Sequence, residues 1–244
     1  MKVAIHQPLY LPWLGYLDKM AKVDKFIILD DVAFTRPSPI TRNRFLTENG
    51  KDKYLTVGIH NKNHMNLKIS DIRINLNDSL NSLERHKNFL LSNYRKSPYF
   101  NEVWPYIEPI LSNKEELLME LLNNTIKFFC DIFEIETQFI YQSELDYDES
   151  LKNNDLLIAL LNAIGSKTYL SGIGAKNYMD EALFEESGIS IYYQAYEPII
   201  YPQFNTTEFI SNLSSLDLLF NCGFRESRET FWENVKRVDE FLYL

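Results

Sequence analysis

His6 is followed by Gln7, Pro8, Tyr10, Pro12, Trp13 and Tyr16, all within eleven residues. An imidazole can serve as acid, base or hydrogen-bond donor near neutral pH. A plain connection would use Gly, Asn, Ser and Asp, so this proline- and ring-rich stretch reads as a rigid wall. Tyr10, Trp13 and Tyr16 offer faces that can stack on a base or a sugar. The alternative is a histidine buried for packing. The residues around it favour chemistry.

Asp30 and Asp31 follow the second apolar run, FIIL. One of them could orient the imidazole or hold a sugar hydroxyl. Adjacent carboxylates on a strand point to opposite faces, which argues against joint metal chelation. Arg36, Arg42, Asn43 and Arg44 come next, with three guanidinium groups in nine residues of an acidic chain. Arginine forks match phosphate oxygens in two-point fashion, so a nucleotide diphosphate is a natural guest. The same arginines could instead pair with Asp30, Asp31 or Glu48. Further on, Ser171-Gly172-Ile173-Gly174 ends a strand, and Lys176 and Tyr178 add donors. Glycines there let backbone approach a ligand. Cys222 falls near a helix C-terminus, which gives a thiolate no help, so it is not read as a nucleophile. His60 and His64 sit four apart in a polar loop, a poor metal arrangement.

These groups need elements to hold them. Residues 2–6 read as a strand, 13–23 as a helix with Leu14, Leu17, Met20 and Ala21 on its apolar side, and 25–29 as a strand covered on both faces. Strand, helix and strand in so short a span predict a parallel βαβ unit. His6 then lies at the carboxyl end of a strand, where open α/β sheets bind ligands. The helix beginning near Trp13 would aim its free N–H groups at the same crevice.

Residues 32–50 read as irregular, ending in an Asn49-Gly50 turn. Strands are predicted over 54–59, 69–74, 135–141, 167–172 and 189–196. Helices are predicted over 79–96, 113–133, 151–164, 178–187, 213–222 and 229–241, with Pro98 and Pro105 punctuating the join of the first two. Ser214 or Ser215 is placed to cap the helix containing Asp217. The expected architecture is one α/β domain over 1–244. It has a mixed, mostly parallel sheet flanked by helices, a largely helical segment at 79–133 and a C-terminal helical part.

The chain has 244 residues, 45% of them hydrophobic, enough for a sizeable core. Its net charge of −9 argues against general binding to nucleic acid or anionic membrane. Two cysteines, Cys130 and Cys222, make neither a disulfide framework nor a zinc cluster. No apolar run reaches the roughly 18 residues of a membrane span, and Val3-Ala4-Ile5 is too short for a signal-peptide core. A cytoplasmic protein is expected.

The stretches HQPLYLPWLGYLDKM, FIILDDVAF, TRNRF, KSPYF, TYLSGIGAKNYMD and LSSLDLLFNCG, in that order, resemble the WbqC-like family of bacterial proteins. The resemblance spans nearly the whole chain. It implies a setting in O-antigen, lipopolysaccharide or other surface-polysaccharide biosynthesis. It also implies a transferase that places glycine or another acyl group on the amine of a nucleotide-linked sugar. Matching the motifs residue by residue marks His6, Gln7, Pro8, Asp30, Asp31, Arg42, Asn43, Gly172, Tyr178, Asp217 and Asn221. In this reading His6 is the base and Asp30 or Asp31 orients it. Arg42 and Arg44 clamp the diphosphate, and backbone near Gly172 holds the oxyanion. The donor would be an acyl thioester, carried by coenzyme A or an acyl carrier protein, though neither has a signature here. Two alternatives stand beside it. One is ATP-dependent nucleotidyl transfer or ligation, and the other is a sugar-nucleotide-binding protein without catalysis.

Overall fold

A computed structural model describes residues 1–36, 38–60, 67–77, 81–112 and 114–238. Strand β1 (Lys2–His6) lies at the centre of a five-stranded sheet. It pairs in parallel with β2 (Lys25–Ile28) on one side and β6 (Thr168–Ser171) on the other. Beyond them lie β5 (Gln138–Tyr141) and β7 (Ser190–Tyr193), giving the order β5-β2-β1-β6-β7, parallel throughout.

The alternation of side chains along β1 explains the layers. Val3 and Ile5 join one core with Leu156, Leu160 and Phe184, whereas Ala4 joins the other with Tyr16, Leu17, Met20 and Phe26. Both faces are therefore covered, as a parallel sheet requires. On the Ala4 face lies α1 (Leu14–Ala21), the crossover helix between β1 and β2. On the other face lie α5 (Asn153–Ala163) and α6 (Glu181–Glu186).

Between β2 and β5 the chain makes an antiparallel hairpin and three helices. The hairpin pairs β3 (Arg42–Leu46) with β4 (Asp52–Thr56) in a two-stranded sheet of its own, and Gly50 supplies a positive φ of 71° in its turn. The turn lies where Asn49-Gly50 predicts it. The first strand occupies residues expected to be irregular, and the second begins two residues before the predicted 54. The strand expected over 69–74 is instead a 3-10 turn, Ile69–Asp71, followed by isolated bridges. Ile69, Ile72 and Ile74 all bury, a spacing that breaks strict alternation.

Helix α2 (Ser82–Tyr94) is capped by Asn81, whose side chain accepts from the Glu84 N–H at 2.8 Å. The segment expected to be a proline-marked join is largely helix α3 (Phe100–Ser112), with Pro105 and Pro109 inside it. Both prolines are exposed, and so are the residues whose carbonyls lose a donor, Asn101 and Pro105, so water can serve those groups. Phe100, Val103, Ile107 and Leu111 are buried on the opposite face. Four such side chains at roughly 1.5–3 kcal/mol each match or exceed about 3 kcal/mol for each proline.

Helix α4 (Leu118–Phe133) ends on Glu134 in the left-handed region. The closing helix α7 (Ser215–Arg237) breaks at Gly223, φ 72°, which divides it where two helices were expected. Its Ser214 cap accepts from the Leu216 N–H. The expected end of this helix, at 239–241, lies outside the described residues, as does His64.

Candidate functional site

The order β5-β2-β1-β6-β7 reverses direction between β1 and β6. Ligands of doubly wound sheets bind outside the carboxyl ends of strands at such a switch point. Here those ends present His6 and Ser171-Gly172.

The loop after His6 passes through the interior. Pro8, Leu9, Tyr10 and Leu11 are buried. Tyr10 donates its N–H to the Pro39 carbonyl at 3.2 Å, and its hydroxyl meets His86 Nδ1 at 2.8 Å. Because His86 Nε2 faces the Thr56 carbonyl, Nε2 carries the proton and Nδ1 accepts from Tyr10. Leu11 takes a φ of 41°, rare for a branched side chain. Its carbonyl accepts from Asn43 Nδ2 at 2.6 Å. Pro12 accepts from the Ser215 N–H, and Trp13 bridges to Ser214. The wall is rigid because hairpin, α2 and α7 all hold it.

At the switch point lies a cavity of about 550 Å³. Its floor is Ile5, His6, Tyr169 and Ser171, and α1 contributes Gly15, Tyr16 and Lys19. The turn Gly172–Ala175 and Tyr178 close one side, and Gln194, Tyr196, Pro198 and Asn212 close the other. A second cavity of about 400 Å³ adjoins, lined by Leu9, Pro39, Arg42, Asn43, Arg44 and Tyr54. His6, Trp13 and Asn212 line both.

His6 Nδ1 lies 2.8 Å from the Gln7 carbonyl. A carbonyl can only accept, so Nδ1 holds the proton and Nε2 keeps its lone pair. The ring stands edge-on to Tyr16, at 5.2 Å and 79°. Burial, and then the nearby Lys19 ammonium, push the imidazole pKa down to about 3, against the pull of the Gln7 carbonyl. His6 is therefore neutral at physiological pH.

Lys19 is buried, 5% exposed, and burial pushes its pKa down to about 8. Among the described residues its Nζ makes no hydrogen bond and no ion pair. It lies beside Gly172, whose missing Cβ would stand 3.5 Å away. The neighbouring charges on α1 are satisfied. Lys22 Nζ pairs with Asp18 at 3.0 Å and donates to the carbonyls of Ala195 and Val238. Gln194 ties the same helix by donating to Asp18 and to the Gly15 carbonyl. Trp13 folds over Gly15 so closely that a Cβ there would meet the indole at 2.2 Å. The indole is edge-on to Tyr196 at 5.2 Å.

Of the residues expected from sequence, His6, Trp13, Tyr16, Ser171, Gly172 and Tyr178 line the main cavity, and Arg42, Asn43 and Arg44 line the second. Arg42 stacks on Tyr54 at 4.4 Å. Arg44 is engaged by Asp52 and the carbonyls of Ser211 and Asn212, which leaves Arg42 the better placed of the two for a ligand. Asn43 spends its amide on the Leu11 and Tyr10 carbonyls.

The remaining expected residues are not among those lining either cavity. Gln7 serves His6 and Tyr16 through its carbonyl. Pro8 and Tyr10 belong to the buried loop. Arg36 lies over Phe34, and Lys176 over Tyr193. Asp30 and Asp31 do not orient His6, whose Nδ1 is held by backbone. Asp30 accepts from the Ser143 N–H and hydroxyl at 3.0 and 2.6 Å. Asp31 pairs with Lys68 at 2.7 Å and accepts from the Tyr147 hydroxyl. Both carboxylates tie the end of β2 to neighbouring loops. Asp217 is buried and accepts from Tyr94, Tyr201 and Gln203. Burial raises its pKa while those donors oppose the rise. Asn221 accepts from the Phe204 N–H. Asp217 and Asn221 thus anchor the 201–210 loop that leads into Asn212. Cys130 and Cys222 are buried, and burial pushes both thiols up to about 12.

Lys19, Tyr54, Gln194, Tyr196 and Asn212 are among the lining residues that sequence reading missed. For Lys19 a signal existed. It stands four residues after Gly15, and so on the same helical face, among the apolar positions of α1. Asn212 has a φ of 59°, a conformation Asn tolerates better than most residues.

Fold and site together define a doubly wound α/β protein with paired cavities at the switch point of its sheet. Residues 7–229 match the model of the WbqC-like protein family, and the chain belongs to that family. It is 32% identical over 223 residues to the uncharacterized protein Rv1507c of Mycobacterium tuberculosis, a match that covers 91% of this chain and 94% of that protein. No solved structure matches the chain. Among the described residues no helix is long and apolar enough to cross a membrane.

Proposed function

We propose that the protein transfers an acyl or aminoacyl group, glycine-like in size, to the amine of a nucleotide-linked amino sugar. The work would be done in the cytoplasm during surface-polysaccharide synthesis. The observation that carries this reading is the place of His6 in a wall common to two cavities. Group transfer needs two substrates to meet at one catalytic group, and held proximity supplies much of the rate.

The chemistry follows from the neutral imidazole. The sugar amine attacks the acyl carbonyl, forming the C–N bond. Nε2 accepts the proton lost by the amine. Collapse of the tetrahedral intermediate breaks the C–S bond of a thioester donor, and the imidazolium returns the proton to the departing thiolate. Backbone N–H groups beside Gly172 are the candidates for holding the oxyanion. Trp13 and Tyr178 offer ring faces to a sugar or base. A coenzyme A or acyl-carrier-protein thioester would enter from the second cavity, past Arg42.

The test is direct. The protein is incubated with UDP-, GDP- and dTDP-linked amino sugars and with acyl thioesters, and products are read by mass. The reading expects an acylated sugar nucleotide, and loss of turnover in His6→Ala with sugar-nucleotide binding retained. Binding without any turnover would favour a non-catalytic sugar-nucleotide protein.

One observation favours a second reading, ATP-dependent nucleotidyl transfer or ligation. The wholly parallel sheet places His6 at the switch point where such sheets bind nucleotides. Product formation that requires ATP and no thioester would select it.

A further inference from the structure

Lys19 is a buried cation whose Nζ has no partner among the described residues and lines the main cavity. A desolvated ammonium with nothing to neutralise it is costly. The nearby Asp18 does not relieve it, because that carboxylate pairs with Lys22 and accepts from Gln194. Helical side chains lean toward the N-terminus, so the Lys19 stem runs toward the first turn of α1. There the Tyr16 and Leu17 N–H groups bond to the Trp13 carbonyl, the Leu14 N–H lies in the Trp13–Ser214 bridge, and no intrahelical acceptor precedes Trp13 for the N–H of Gly15.

We propose that the main cavity binds a phosphate or phosphoanhydride group, held by the Lys19 ammonium and the Gly15 N–H in the first turn of α1, beside the Gly172 turn. Three features of the cavity fit this chemistry. A lysine suits phosphate as a point charge at the end of a flexible stem. The N-terminal end of a helix favours an anion. Gly172 leaves the space next to Nζ open. Burial pushes the Lys19 pKa down to about 8. An anion bound there would raise it, and would raise that of the neighbouring His6 as well, making Nε2 a better proton acceptor.

The inference rests on the reading above only for what bears the phosphate; the anion site stands whether or not transfer occurs. It also moves the phosphate away from the arginines, to the opposite side of His6.

The probe is inorganic pyrophosphate, titrated calorimetrically into the wild-type protein, Lys19→Met and the exposed-charge control Lys51→Met. The expected result is binding to wild type and to Lys51→Met, weakened about tenfold or more in Lys19→Met. Equal affinity in Lys19→Met, or no binding to wild type at millimolar concentration, overturns the proposal. A second measurement needs no variant. Acetylation of the Lys19 amine by acetic anhydride, followed by peptide mass spectrometry, should slow markedly when pyrophosphate is present while Lys51 reacts unchanged. An unchanged Lys19 rate overturns it too. Turnover in the transferase assay plays no part in either measurement, so the two ideas fail separately.

Discussion

The proton on His6 Nδ1 points at the carbonyl oxygen of Gln7, 2.8 Å away, and this leaves Nε2 unprotonated in the wall between two cavities. The pairing is between adjacent residues and uses backbone, so no carboxylate is needed to fix the tautomer.

In the folded state burial holds His6 down near 3 and His86 down near 4, against an ordinary value of 6.5. Below pH 6.5 the unfolded chain binds protons that the folded chain refuses. Their contribution to stability is complete above pH 6.5 and is lost as pH falls toward 4. Each group adds at most about 1.4 kcal/mol per pH unit. Urea midpoints at pH 7, 5.5 and 4.5 should fall steadily, and less steeply in His86→Asn. An equally steep fall in that variant would mean that His86 is protonated in the fold.

Asp18 on α1 and Lys22, the residue that follows its last turn, form a buried ion pair, with both side chains nearly inaccessible. Removing one partner strands the other charge. Lys22→Met should cost about 3–5 kcal/mol, and the double variant Asp18→Leu/Lys22→Met much less. Denaturant unfolding of the three proteins decides it. Single and double variants with the same loss would show that the lost Lys22 bonds to Ala195 and Val238 dominate.

Tyr10 looks like a substrate-stacking residue in the sequence, yet its hydroxyl serves the buried Nδ1 of His86. Tyr10→Phe should lose about 1–3 kcal/mol of stability, because an acceptor is left unpaired. Its affinity for a sugar nucleotide should match that of wild type. Weakened binding at unchanged stability would return Tyr10 to the site.

Gly15 is a helical position in α1 where alanine should hurt rather than help. Gly→Ala inside a helix ordinarily gains about 1 kcal/mol. Here the new methyl would land 2.2 Å from the Trp13 indole and push it off the wall shared by both cavities. In a background with Trp104 and Trp232 replaced by Phe, Gly15→Ala should shift Trp13 emission to longer wavelength and weaken ligand binding about tenfold. An unchanged spectrum would show that the ring accommodates the methyl where it stands.

Local patterns made much of the fold readable. A short apolar run, a helix period and another apolar run allow only a parallel βαβ unit with His6 at its rim, and the structure has that unit. Gly50, Gly165 and Gly223 mark breaks because each holds a positive φ that other residues resist. Helix α3 was not legible, since its prolines argue against a helix locally and only burial of the opposite face outweighs them. The site divided the same way. His6 and the Ser171-Gly172 turn can be placed from strand ends alone. The fates of Asp30, Asp31, Arg44 and Asp217 could not be read, because whether a charge faces a ligand or a protein partner depends on what the distant chain brings beside it. Ser143, Lys68, Ser211 and Tyr94 are such partners, far away in sequence. Lys19 is the converse case. By itself the sequence determined the parallel βαβ unit and which strand end presents His6. Only the tertiary structure decided which charges were already paired and which buried one was left facing the cavity.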